Sequence, residues 1–180
     1  DGKLKLNAKA ARLLYAGIVG DTGRFMYNAT TPATMRAAAK LMEYDFDASQ
    51  VNRTLDEVTP EIARLSAYVL ENIKYTEHNA AYVVLDNETL EQFTLEDAGT
   101  APIVPLVGKI SSVICWTVLV QQKDETYRLR IRSKGPVINE LAKEYEGGGH
   151  PLASGAILRS LDELPTYLAK LDKIAASAEK

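Results

Sequence analysis

The sequence predicts an α/β protein: an all-helical first quarter, a linker helix, then a small domain built on a mixed sheet. Three observations point there. From residue 7 to about 73, apolar residues recur at spacings of three and four, as on the buried face of a helix. From residue 81 on, short apolar, β-branched runs alternate with helical stretches, the texture of a sheet with helices packed on it. Between the two, Thr59-Pro60 opens a long amphipathic helix, with Thr as cap and Pro at the first helical position.

Taken in order, Asn7 caps a helix whose stripe runs through Ala10, Leu13, Leu14 and Ile18 and stops at the breaker cluster Gly20-Asp21-Thr22-Gly23. Thr31-Pro32 opens a second helix through Met35, Ala38, Ala39 and Met42, broken at 45–47, and a third follows through Val51 and Leu55. The fourth carries Ile62, Leu65, Val69, Leu70 and Ile73 on one face. Then come a strand at 81–85, a brief helix at 88–92 and a helix at 102–110. Two strands at 111–122 and 125–132 are joined by a tight turn near Lys123-Asp124. Pro136 opens a helix ended by the glycine loop 147–149. A last strand at 154–158 and a closing helix at 162–176 complete the chain.

The chain has 180 residues, 46% hydrophobic and 25% charged, which suits a globular protein with a real core. The formal net charge of −3 disfavours a long, non-specific grip on duplex nucleic acid, which needs many cations against phosphates. It leaves room for a short phosphorylated ligand held by a few local cations. The longest apolar run, 113–120, falls well short of the roughly 20 residues that span a bilayer. The polar start at 1–5 carries no secretory segment, and the single Cys115 has no disulfide partner, so the cytoplasm is the expected compartment.

Three motifs stand out. Gly147-Gly148-Gly149-His150, followed by Pro151-Leu152-Ala153-Ser154-Gly155, would let backbone N–H groups converge on an anion as a nest. A single glycine would serve as a helix cap, so a run of three asks for another reason. Arg128, Arg130 and Arg132 alternate along a strand and so share a face, opposite Leu129 and Ile131. Three aligned guanidiniums want an anion between them, and Arg suits phosphate; the competing reading is a solvated sheet face with acidic neighbours. Asp21, between two glycines, suits a hard divalent cation, but a lone carboxylate supplies one of about six ligands. Taken alone it reads as a turn that closes the helix.

In this order the motifs resemble the DHH phosphoesterase family, and within it the bifunctional oligoribonuclease and pAp phosphatase branch. The segment 14–25 is similar to the last motif of the family's catalytic domain, in which the Asp is a manganese ligand. Arg130-Ile131-Arg132-Ser133 resembles the basic strand of the DHH-associated domain, and 147–150 its glycine-rich substrate loop. The resemblance implies a remnant of the catalytic domain at 1–56, a linker helix at 57–77 and a DHH-associated substrate-binding domain at 78–180. It implies two-metal hydrolysis with Mn²⁺, Asp21 as one ligand, and a substrate held by Arg130, Arg132, Ser133, Gly147, Gly148, Gly149 and His150. The name-giving Asp-His-His triplet and the earlier metal-binding aspartates do not occur in this sequence, which has two histidines, neither preceded by Asp. The expectation is a missing N-terminal catalytic region and a chain that by itself hydrolyses little. Nanosized RNA, 3′-phosphoadenosine 5′-phosphate, linear diadenylate and single-stranded DNA stay open as substrates, with a short 5′-phosphorylated oligonucleotide favoured.

Two other readings compete. The tail of alanyl-tRNA synthetases carries a related, non-catalytic RNA-holding domain, whose glycine run is not followed by His-Pro-Leu-Ala-Ser-Gly. A purely structural domain would use the helix from Pro60 to Lys74 to pair with a partner, for example as a homodimer.

Overall fold

Capping chemistry sets where the helices start. The computed structural model describes residues 5–27 and 30–179; the start at 1–4 lies outside them. Helix α1 (Ala8–Asp21) begins where the Asn7 side chain accepts the Ala10 N–H at 2.9 Å. Helix α2 (Pro32–Leu41) begins at a reciprocal Thr31–Thr34 capping box, and α3 (Ala48–Asp56) at Asp47, which accepts the Gln50 N–H. These helices belong to a first compact unit, Asp1–Glu57, with its own core of Ala11, Tyr15, Val19, Ala38, Leu41 and Val51. The expected stripe of α1 is turned by about one residue: Leu13 and Leu14 are 60% and 53% exposed, while Ala11, Tyr15 and Val19 are buried. Tyr15 decides the rotation. Its ring packs on Phe46 with centroids 5.6 Å apart, and its hydroxyl accepts from Asn52 Nδ2 at 3.0 Å.

The second unit is Val58–Lys180. Helix α4 (Pro60–Asn72), capped by Thr59, belongs to it: Ile62, Leu65 and Val69 are buried in the same cluster as strand residues Val83 and Val118. The helix expected as a linker is thus part of this unit's core, with Ile62, Leu65 and Val69 of its apolar stripe buried there and Leu70 left exposed.

Six strands form one sheet in the order β1-β2-β3-β4-β6-β5. They are β1 (Lys74–Tyr75), β2 (Ala80–Leu85), β3 (Cys115–Gln121), β4 (Tyr127–Ser133), β5 (Gly148–His150) and β6 (Ala153–Leu158). The β2–β3 pair is parallel and the others antiparallel. Between β2 and β3 run α5 (Asn87–Gln92), a 3₁₀ helix (Asp97–Ile103) and α6 (Val104–Val107). The single helix expected at 102–110 is split because Pro102 and Pro105 lack the N–H an α-helix needs. The strand expected from 111 starts only at Cys115, since 111–114 form a turn and an irregular link. Helix α7 (Asn139–Glu144) precedes β5, and α8 (Leu164–Ala176) closes the unit.

The two faces of the sheet are covered unequally. On one, α7 and α8 bring Leu141, Ala142, Tyr167 and Leu171 against Leu119, Leu129, Ile131, Ala156 and Leu158, so the helices reach β6. On the other, α4, the 3₁₀ helix and α6 cover β2 and β3, and Trp116 Nε1 donates to Val104 O at 2.7 Å. That cover ends at β4, and over β4 and β6 this second face carries an open trough of about 430 Å³, bordered by Glu146 and Gly147 at the entry to β5. Among the described residues, no helix is long and apolar enough to cross a membrane.

Candidate functional site

Strand alternation builds the trough. Along β4, Tyr127, Leu129, Ile131 and Ser133 are buried against the helix-covered face, while Arg128, Arg130 and Arg132 point to the other. Register then places partners across three strands. Arg130 lies opposite Gly155, which lies opposite Gly148; Arg132 lies opposite Ala153, which lies opposite His150. Residues directly opposite share a face, so the arginines and the exposed His150 stand on either side of a floor with almost no side chains.

The glycine run is an edge strand, β5, and not the expected anion-binding nest. Its three glycines have different reasons. Gly147 N–H donates to Ala142 O at 3.0 Å and closes α7; a Cβ on Gly147 would lie 2.0 Å from Gly155 O. Gly149 has φ +139, and its Cβ would lie 2.7 Å from Ala153 O. Those two are required by packing against β6. A Cβ on Gly148 would meet nothing within 4 Å. The fold does not require Gly148, and its effect is to leave the floor bare.

The expected anion between the arginines is present, and it comes from the protein. Asp97, at the start of the 3₁₀ helix, places Oδ2 2.6 Å from Arg128 Nη1 and Oδ1 2.7 Å from Arg130 Nη2. Arg130 Nη1 also donates to Thr100 Oγ1 at 2.5 Å, and Nη2 to Asp97 O at 3.0 Å. Arg130, with its side chain 15% exposed, is therefore held rigidly. Its hydrogen bonds to Thr100 Oγ1 and Asp97 O use two of its five N–H donors, and Asp97 Oδ1 meets it as an ion pair only. Arg132 Nη1 donates to Ile131 O at 2.8 Å and Ser154 O at 3.3 Å. At the trough's rim Glu146 pairs with Arg159.

Not every expected residue joins this face. Ser133 is buried on the opposite one, its hydroxyl accepting the Gly135 N–H at 3.1 Å. The Cys115 thiol is buried as well; desolvation pushes it up to about 12, which makes it inert at neutral pH. Asp97 and Thr100 were missed because they lie about 30 residues from the arginines in sequence. Ala153 and Gly155 left a signal: small residues at alternate positions of a strand.

Asp21 lies in the first unit. It is the last residue of α1 and is exposed. It does not close the helix by its own side chain. Thr22 does so, its hydroxyl donating to Ile18 O at 2.6 Å and accepting the Phe25 N–H at 3.0 Å. Gly23, Arg24 and Phe25 then follow in the left-handed region, at φ 54, 58 and 64. Arg24 pins this turn to α3 through Asn52 O at 2.9 Å and Asp56 at 3.2 Å. Strained turns of this kind are concentrated at functional sites. Yet among the described residues no three His, Cys, Asp or Glu side chains come together to hold a metal, so Asp21 offers one donor and not a centre.

A family model, the DHHA1 domain, matches residues 79–177. The chain belongs to the DHHA1 domain family. The match contains every residue of the trough, and Asp21 falls outside it. Over 161 residues the chain is 52% identical to a probable bifunctional oligoribonuclease and PAP phosphatase NrnA of Streptococcus mutans, covering 89% of this chain and 52% of that protein. It is 43% identical over 175 residues to the Bacillus subtilis bifunctional oligoribonuclease and PAP phosphatase NrnA, covering 97% and 56%. The chain thus spans about half the length of the curated relatives it matches. An exopolyphosphatase-related protein from Bacteroides fragilis matches with a TM-score of 0.85 at 24% identity, over 94% of this chain and 52% of that one. At that identity the likeness shows the fold alone.

Proposed function

We propose that this chain is the substrate-holding part of a phosphodiesterase that degrades short oligonucleotides, with 3′-phosphoadenosine 5′-phosphate as a second substrate. The observation that carries this is the three-strand register. It sets Arg130 and Arg132 on one side of a bare strip of Gly148, Ala153 and Gly155, and His150 on the other. A flat backbone floor between fixed guanidiniums and an exposed imidazole suits an extended phosphodiester: the arginines take the charge and the ring donates to phosphate or stacks on a base. The similarity to NrnA proteins, named for oligoribonuclease and PAP phosphatase activity, supports the same substrate class.

Hydrolysis in this reading belongs to the longer protein. Two Mn²⁺ ions would supply an activated hydroxide and stabilise the leaving oxygen. Asp21, exposed at a fixed turn, would give one carboxylate to that centre, and the remaining donors would come from a catalytic region outside this sequence. The chain by itself hydrolyses at no useful rate, and it works in the cytoplasm, where an unpaired Cys115 is ordinary.

The test is a binding titration with 5′-phosphorylated diadenylate and with the same dinucleotide lacking that phosphate, each repeated with His150→Ala. The expected result is preference for the phosphorylated ligand, weakened about tenfold in the variant. Equal binding of both ligands, or no effect of the exposed His150, refutes the assignment of this face. RNA holding without hydrolysis, as in a synthetase tail, would instead show steep salt dependence with long RNA.

A further inference from the structure

The trough does not continue past Arg128. There it meets a second, larger groove of about 970 Å³ that shares Arg128 and Ile157 with it. That groove runs between α5, the 3₁₀ helix and the β3–β4 turn, and its charge is of the opposite sign. Glu91, Glu96, Asp97 and Asp124 line it, against Lys123 and Arg128. Asp97 is taken up by the arginines. Glu91 and Glu96 are exposed and form no ion pair among the described residues, and Asp124 is held below its usual carboxylate range by the Thr126 hydroxyl and N–H.

We infer that this acidic groove sets the length of the bound oligonucleotide, with Glu91 and Glu96 as specificity-determining residues. The inference rests on the trough being the oligonucleotide site. From Arg132 to Arg128 the strand advances about 14 Å. A phosphate chain laid along the arginines gains from each of them, but its next phosphate beyond Arg128 enters a groove where Glu91, Glu96 and Asp124 outnumber the one ammonium of Lys123. Within a Debye length of about 10 Å at 0.1 M salt that repulsion is not screened. A short backbone therefore collects the attraction of the trough, and a longer one adds only repulsion at this end.

The experiment compares binding of 5′-phosphorylated diadenylate, pentaadenylate and decaadenylate to this chain and to Glu91→Lys/Glu96→Lys. A Glu71→Lys/Glu77→Lys double variant, equal in charge change but outside the groove, is the control. In the unaltered chain, affinity stops rising beyond the short ligands. The groove variant gains about tenfold for decaadenylate while diadenylate changes less than about twofold, and the gain collapses between about 0.05 and 0.5 M salt. The control gains little at any length. The inference is overturned if affinity in the unaltered chain climbs steadily with length, if the groove variant leaves decaadenylate unchanged, or if groove and control variants gain equally. If the unaltered chain binds no diadenylate, the trough assignment itself falls and this inference with it; intact diadenylate binding with no length effect removes only the inference.

Discussion

At the scale of single residues, polar atoms are committed in pairs that tie distant parts of the chain. His78 N–H and Nδ1 both meet the Asp172 carboxylate at 2.8 Å, fixing the turn before β2 onto α8. Burial alone would raise the Asp172 pKa, but the hydrogen bonds from His78 and Thr76 outweigh it and hold the carboxyl below its ordinary value. A depressed folded-state pKa adds stability at pH above the ordinary carboxylate value, and that stability is lost as pH falls through the lower, folded value. Asp172→Asn is therefore expected to cost about 1 kcal/mol at neutral pH and to flatten the acid side of the stability profile, read by urea unfolding between pH 3 and 7. An unchanged acid limb would mean that other carboxylates govern it. Residue-scale legibility was uneven for a plain reason. That Arg128, Arg130 and Arg132 share a face follows from strand parity, and the same parity puts Ser133 on the other side. Asp97 could not be read, because nothing local in the sequence says which helix turn will reach β4.

At the scale of elements, strands and caps were legible where the signal is local, and α4, β5 and the 3₁₀ helix were read differently because their roles depend on contacts. A Thr-Pro start announces α4, but whether its stripe faces a partner or its own sheet is a tertiary matter. Gly147–Gly149 punctuate a chain like a loop, yet Gly148 and Gly149 enter a strand because β6 offers an edge, which Gly147 and Gly149 approach at a distance only glycine tolerates. This gives a sharp prediction. Gly147→Ala drives a methyl into β6 backbone and should destabilise the protein by about 2 kcal/mol or more, whereas Gly148→Ala should stay within about 0.5 kcal/mol. Diadenylate affinity should nonetheless fall several-fold in Gly148→Ala, since the methyl rises from the trough floor. Thermal unfolding and titration of the same two samples separate the cases. Full affinity in Gly148→Ala would show that the ligand does not lie on that floor.

At the scale of the whole molecule, the chain divides into two units with separate cores, and the trough, the acidic groove and the DHHA1 match all lie in the second. Residues 58–180 produced alone are expected to fold cooperatively and to bind 5′-phosphorylated diadenylate within about twofold of the 180-residue chain. A large loss would assign part of the ligand's grip to the first unit. The change of texture after α4 made the α/β class readable from composition and periodicity, and the boundary expected at 56/57 lies one residue from the division between the units. What the sequence could not tell is that α4 is no separate linker, because that depends on the apolar side chains it buries in the second unit.

The strand order carries a consequence for how the ligand face comes into being. β5 reaches β4 only through β6, to which it is joined by the two-residue turn Pro151-Leu152. His150 and Arg132 therefore become neighbours only when the β5–β6 hairpin has docked against β4, a step that joins segments more than 20 residues apart in the chain. A local hairpin closes quickly, and its non-local docking is the slower event. The proposed binding face thus exists only once that non-local docking is complete, and a ligand that spans it would hold this seam of the sheet closed.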